Sequence, residues 1–457
     1  MPAKDVLDRL SSSGIKWLYL EFADVLGYSH YVGVPAYGLS EEELEKGFSR
    51  SDVASVFNDR EELFLKPDHD TFAFIPWMDS ASRMICNIYT RKEEFYLKDP
   101  RYILQRAVKN ASAAGFEVKI GSEVEFYFFD GVAVDKVTPE RGPSVMLDTR
   151  EAKWNPSPMV SWDKASLLSA PFDTYHILRT EILNVMNDNF HIPVESHGHG
   201  EGPTGQQFAS LPPFPLVESA DALITFKNAV KNISIMSNVF ATFMPVPVFK
   251  EPGNSLRVNI SLWQEERNVF YDGKEEYANI SSAARYFIGG LLEHAAALCV
   301  FTNPSTNSYK RLLASPKYIM WSAKNKSAVA YVPVRHGESE ERKRITFTLP
   351  DPLANPYLAY AAIVAAGLDG IKKKIDPGDP VDSDVSTMLS RDRRKLGIKE
   401  LPANLMEAIA FLEADNEFLK GTFSSDIITD YLENKIKEHR ENESRPTSYE
   451  FQKYFNL

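Results

Sequence analysis

The chain has 457 residues, 44% of them hydrophobic and 25% charged, the proportions of an ordinary soluble globular protein. That length exceeds a single compact core and predicts one large domain plus at least one smaller one. A formal net charge of −12 argues against nucleic acid as the main partner and against docking on an anionic membrane surface.

In chain order, the opening "MPAKDVLDRLSSSG" reads as a short helix and lacks the apolar core of a signal peptide. "KWLYLEFADVLGYSHYVGVPA" reads as two strands around a turn at Gly27, and "DHDTFAFIPWMDSASRMICNIYT" adds further strands. Asp99 can cap a following helix, with Pro100 at its first position, where no backbone N–H is needed. "VKIGSEVEFYFF" is rich in β-branched and aromatic residues and reads as a strand, so Glu123 and Glu125 share one face. Two like charges side by side call for a cation between them. Either the face is solvent-exposed, or the pair is half of a hard-oxygen metal site. "SADALITFKNAVKNISIMSNV" and "NPYLAYAAIVAAGLDGIKKKI" have helical apolar spacing. "YFIGGLLEHAAALCVF" is interrupted by Glu293 and His294, so it reads as a buried helix and not as a membrane span. The stretch from Leu401 to Asn442 reads as helical with charged faces. The two cysteines, Cys86 and Cys299, lie in apolar contexts, which predicts no disulfide framework and a reducing, cytoplasmic setting. The fold class expected is α+β, with an N-terminal β-rich piece.

Several stretches carry ligand-type residues. "ESHGHGEGPTGQQFAS" sets Glu195, His197, His199 and Glu201 among glycines, which let a backbone approach a ligand closely. "NPSTNSYKRL" carries Lys310 and Arg311, either a phosphate clamp or a solvated basic pair.

Taken in order, "LEFADVLGYSHYVGVPA", "LKPDHDTFAFIPW", "GSEVEF", "FMPVPVF", "NPSTNSYKRL", "LPDPLANPYLAYAAIVAAGLDGI" and "LEADNEFLKGTF" resemble the signature segments of the glutamine synthetase family over nearly the whole chain. The resemblance implies a small β-grasp-like domain over residues 1–100. It implies a large catalytic-type domain with an antiparallel sheet over 101–457. It also implies a homo-oligomer of two stacked rings, a dodecamer, with sites between subunits. The family reaction joins glutamate and ammonia with ATP through an acyl phosphate. It needs Mg²⁺ or Mn²⁺, cationic clamps, and a carboxylate for ammonium.

Under the resemblance, Glu123, Glu125 and Glu201 stand at retained metal-ligand positions. Arg311 stands where the family binds substrate carboxylate and phosphate, and Lys326 keeps a positive charge where arginine is usual. Asn307, Ser308, Asn325 and Ser327 keep the polar frame of the cofactor site. Other positions depart. Phe208, Arg257 and Thr346 stand at the remaining three metal-ligand positions. Thr348 replaces a substrate-binding arginine, Tyr331 an arginine near the phosphates, and Ser49 the ammonium aspartate. The flap after "KRL" reads "LASPKYIMW", with no glutamate. These departures touch metal binding, ammonium binding and phosphate clamping together. They predict a glutamine synthetase-like protein without ordinary glutamine synthetase activity. The alternatives are a γ-glutamyl ligase for a different amine, and a working glutamine synthetase with substituted site residues. Arg257 is expected to pair with Glu123 or a neighbouring carboxylate in place of a metal.

Overall fold

A computed structural model describes residues 1–134, 145–155, 165–334 and 339–457. The N-terminal part builds a six-stranded sheet. Its main path runs Ser29–Pro35, Trp17–Ala23, Ala81–Thr90, Leu63–Pro67, Phe48–Arg50. Trp17–Ala23 and Ala81–Thr90 pair in parallel and the other neighbours are antiparallel. Alternation along these strands sends Leu18, Leu20, Leu63 and Leu65 into a core of their own, with Val6 and Leu10 of the first helix packed on it.

The larger part is organised around the strand Glu117–Phe129, the third member of a nine-stranded sheet. Gln206–Pro215 lies antiparallel on one side and Leu256–Gln264 on the other. Ser196–His199 lies beyond the first, and Ile345–Phe347 beyond the second. The period of two decides what each face does. Val118, Ile120, Val124, Phe126 and Phe128 enter the main core, which the helices Leu216–Met236 and Pro356–Lys373 also line. Glu123 and Glu125 project from the other face. Asp99 does cap the helix Pro100–Ala113, accepting from the Arg101 N–H at 3.0 Å.

The two parts are locked by buried arginines. The Arg101 guanidinium donates to Asp221 at 2.8 and 3.1 Å, to Asp68 at 2.7 Å and to Asn87 at 2.8 Å, so it joins both sheets' supporting elements. Arg83 of the small sheet donates to Thr225 at 2.9 Å.

Two expectations need correction. "YFIGGLLEHAAALCVF" forms not one helix but two, Ser282–Glu293 and Ala295–Thr302, bent by 74° at His294. Among the described residues no single helix is long and apolar enough to cross a membrane. The stretch from Leu401 likewise breaks between the helices Leu405–Ala414 and Ser425–Glu443.

The bend has a chemical reason. The His294 ring reaches Asp415 at 2.7 Å and Asp369 at 3.0 Å and stacks on Phe418 at 4.1 Å. Burial opposes its charge, but the two carboxylates more than offset this and hold its pKa above the ordinary histidine value. Stability from this contact is therefore fully present below the unfolded-state pKa of about 6.5 and lost as pH rises through the higher folded-state value. His294→Gln is expected to cost about 1–3 kcal/mol at pH 6 and clearly less at pH 9. Equal losses at both pH values, measured by thermal unfolding, would count against a charged His294.

Candidate active site

The open face of the large sheet is where the acidic pair meets its neighbours. Register sets Arg257 directly across from Glu123 on one side and Ser210 on the other, while Phe208 lies across from Glu125. Arg257 Nη1 donates to Glu123 Oε1, and Arg257 Nη2 lies 3.8 Å from Glu125 Oε1. Opposite charges facing each other across an antiparallel pair stabilise the sheet, where two bare carboxylates would repel. Glu125 is held from the other end by Ser255, whose N–H and hydroxyl donate to Oε2 at 2.8 and 2.6 Å.

Electrostatics follow this geometry. Burial pushes the Glu125 carboxyl up, and Arg257 and the Ser255 bonds only partly counter it. For Arg257, burial disfavours the charge, but Glu125 and Glu123, with Glu201 behind them, outweigh it and raise the guanidinium's pKa. The arginine side chain keeps 42% of its exposure, against 26% for Glu123 and 13% for Glu125, so the pair is partly wet.

The other positions singled out in the sequence separate into distinct environments. Thr346 is buried, and its hydroxyl donates to Asn259 at 2.7 Å across the strand pair. Thr348 donates to the Ala328 carbonyl at 2.8 Å. Glu201 is exposed in the loop ahead of Gln206–Pro215. Phe208 lies over Gly198, where an added Cβ would come within 2.8 Å of the ring. Gly205 takes φ +91°, the left-handed region, at the turn that starts the strand, and a Cβ there would sit 2.5 Å from the Phe128 carbonyl.

Arg311 is not on the open surface. The residue is 4% exposed, and its side chain lies along Gly253 and donates to the Leu349 and Ser315 carbonyls. No carboxylate pairs with it among the described residues, and its Nε is buried without a partner. Burial lowers its pKa, against the pull of Asp351 and Glu125. Lys326 is exposed with no ion-pair partner among the described residues. Asn325 is tied to Ser327 by bonds of 2.7 and 3.0 Å and to the Ser383 carbonyl at 2.9 Å. Asn307 clasps the Val246 backbone at 2.7 and 3.2 Å, and Ser308 bonds Ser305 at 2.9 Å. Ser49 donates to Glu62 at 2.5 Å in the small domain.

Sequence reasoning missed Ser255. Its signal lies in the register, because stepping two residues from the Arg257–Glu123 pair along both strands brings Ser255 beside Glu125. It also missed the buried Arg179, which donates to Asp173 at 2.6 and 3.1 Å, to His197 at 3.0 Å and to Gln207. His197 is thereby committed as an acceptor, and burial, then Arg179, lowers its pKa.

The six residues that the resemblance sets at metal-ligand positions do not together fit a hard dication. Glu123 is engaged by a guanidinium and Glu125 by the two donors of Ser255, Glu201 is exposed in its loop, and phenylalanine, arginine and threonine supply no anionic oxygen. Among the described residues no three His, Cys, Asp or Glu side chains converge on one point suited to a metal.

Comparison with known proteins defines the class. Residues 14–91 match the family model "Glutamine synthetase, beta-Grasp domain", and residues 97–454 match "Glutamine synthetase, catalytic domain". The chain belongs to the glutamine synthetase family. It is 36% identical to the glutamine synthetase of Sulfolobus acidocaldarius, over 99% of this chain and 98% of that one. It is 33% identical to that of Aquifex aeolicus, over 99% of each. The fold superposes on the cryo-EM structure of Plasmodium falciparum glutamine synthetase with a TM-score of 0.89 at 26% identity, covering 99% of both chains. It also superposes on a structure described as apo GmaS without ligand, with a TM-score of 0.82 at 26% identity, covering 99% of this chain and all of the other.

Proposed function

We propose that this chain is a glutamine synthetase family protein that does not carry out ordinary glutamine synthesis and instead serves a structural or regulatory role in a homo-oligomer. The single observation that carries this reading is the Arg257 guanidinium lying on Glu123, where it supplies the positive charge that a metal would otherwise bring. Enzymes of the family in general use ATP and divalent metals, and an arginine at this point repels a dication while satisfying the carboxylate. Arg257→Ala is therefore expected to tighten Mn²⁺ binding in a calorimetric titration. Because the pair is partly exposed, the same change is expected to cost only about 1 kcal/mol of stability. Unchanged Mn²⁺ affinity would count against the substitution of guanidinium for metal.

Family members are typically homo-oligomers, and a dodecamer is the assembly proposed for this chain. Light scattering at micromolar concentration is expected to give the mass of a large ring assembly, and a monomer would rule it out.

A second reading, a γ-glutamyl ligase using glutamate, ATP and a different amine, has its own support. Arg311 keeps a buried charge with an unpartnered Nε, which suits an anionic group such as a carboxylate. Phe208 over Gly198 adds an apolar surface beside the acidic pair, which suits an amine bulkier than ammonia. Turnover of ATP with glutamate and only a substituted amine would select this reading, and turnover with ammonia would select a working glutamine synthetase.

A further inference from the structure

Away from the cleft, Lys227 and Lys231 stand one turn apart on the helix Leu216–Met236, and both ammonium groups lie over the ring of Phe243, at 5.6 and 6.0 Å. Neither has a carboxylate within ion-pair distance among the described residues. Lys227 is half-buried, and its Nζ donates to the Pro352 carbonyl at 2.7 Å.

That carbonyl belongs to a loop tied at several points, Asp351 among them, whose N–H donates to the Thr302 carbonyl at 3.0 Å and whose carboxylate accepts from Asn303 at 3.2 Å. The Leu349 carbonyl accepts from Arg311 and from Asn303 at 3.0 Å. The Pro350 carbonyl accepts from Leu256 N–H at 3.0 Å, the residue just before Arg257. Pro352 is held by Lys227, and Asn355 donates to the backbone of Asp24 at 3.0 Å in the small domain. The loop thus joins Arg311, and the strand that carries Arg257, to the domain junction, and Lys227 ties it to the helix Leu216–Met236.

We propose that Lys227 is an acylation site, and that acylation of its ε-amino group by a small acyl thioester loosens the 349–355 loop on which Arg311 rests. The neutral amine nitrogen attacks the thioester carbonyl carbon, the C–S bond breaks, the thiolate leaves, and the nitrogen's surplus proton passes to solvent, giving an amide. The amide keeps one N–H where the amine could offer more. It also adds bulk where Phe243 and Lys231 already pack. The environment favours the reactive form. Burial, then Lys231, pulls the Lys227 pKa down to about 7, and Asp351 on the loop opposes only part of this.

The inference does not depend on which reaction the cleft performs. Its test is limited labelling of the intact protein with N-acetoxysuccinimide at pH 7, read by peptide mass spectrometry. Lys227 is expected to acetylate about tenfold or more faster than the exposed Lys372, with a rate–pH midpoint near 7. Lys231→Ala should move that midpoint upward, which a lysine serving only as packing would not show. Lys227 labelling no faster than Lys372, or titrating above pH 9, overturns the site. Hydrogen exchange tests the loop. Amides of Leu256 and Asp351 should exchange about tenfold faster in the acetylated protein and in Lys227→Gln, and at the original rate in Lys227→Arg. Unchanged exchange in the acetylated protein overturns the release.

Discussion

Arg101→Ala is expected to destabilise the protein by about 3–5 kcal/mol, the largest single-residue loss anticipated here. The guanidinium is 4% exposed and answers Asp221 and Asp68 together, with Asn87 on a third nitrogen. Burial alone would lower its pKa, yet Asp221 and the other acidic neighbours hold it well above the ordinary arginine value. Removing it leaves Asp221, only 10% exposed, with a single donor among the described residues, the Tyr357 hydroxyl at 2.6 Å. An unpaired buried carboxylate is the costly outcome, more than the lost bonds themselves. Arg101→Met with Asp221→Leu removes both charges and should therefore lose much less than the two single changes added together. Thermal midpoints compared at one protein concentration would check this, since assembly also shifts them. Strict additivity would mean that the two side chains do not act as a pair.

Repair of the cleft at one position is expected to fail. Arg257→His restores one ligand type, but Phe208 and Thr346 still supply no anionic oxygen, Thr348 stays bonded to a backbone carbonyl, and Ser49 stays bonded to Glu62. Residues that act as a unit in catalysis give grossly non-additive effects, so one repaired part leaves the rate limited by the others. The expected result for Arg257→His is no detectable glutamine formation from glutamate, ammonia and ATP. Recovery of a typical enzyme rate, about 1–1000 per second, from that single change would show that Arg257 alone had silenced the site.

Much of the site was legible because strand periodicity is a local rule. Valine, isoleucine and phenylalanine alternating with Glu123 and Glu125 told which face would carry the pair, and the sheet places it there. Asp99 before Pro100 announced a helix start for a reason contained in two residues. What stayed hidden depends on contacts far away in the chain. The break at His294 needs Asp369 and Asp415, 75 and 121 residues on, and apolar spacing cannot announce a histidine claimed by two carboxylates. The burial of Arg311 depends on the Leu349 carbonyl and on Gly253, so its motif read as surface chemistry while its side chain lies inside. Ser255 follows from register, which a single strand does not reveal until its partner is known.

With the Arg257 guanidinium proposed to stand in place of a metal on Glu123, ordinary glutamine synthesis is expected to be absent. The most direct measurement is steady-state turnover of the purified protein with glutamate, ammonia and ATP, in Mg²⁺ and again in Mn²⁺, read both as ADP and as glutamine. No glutamine above background is expected with either metal. Glutamine formed at about 1–1000 per second would contradict that expectation.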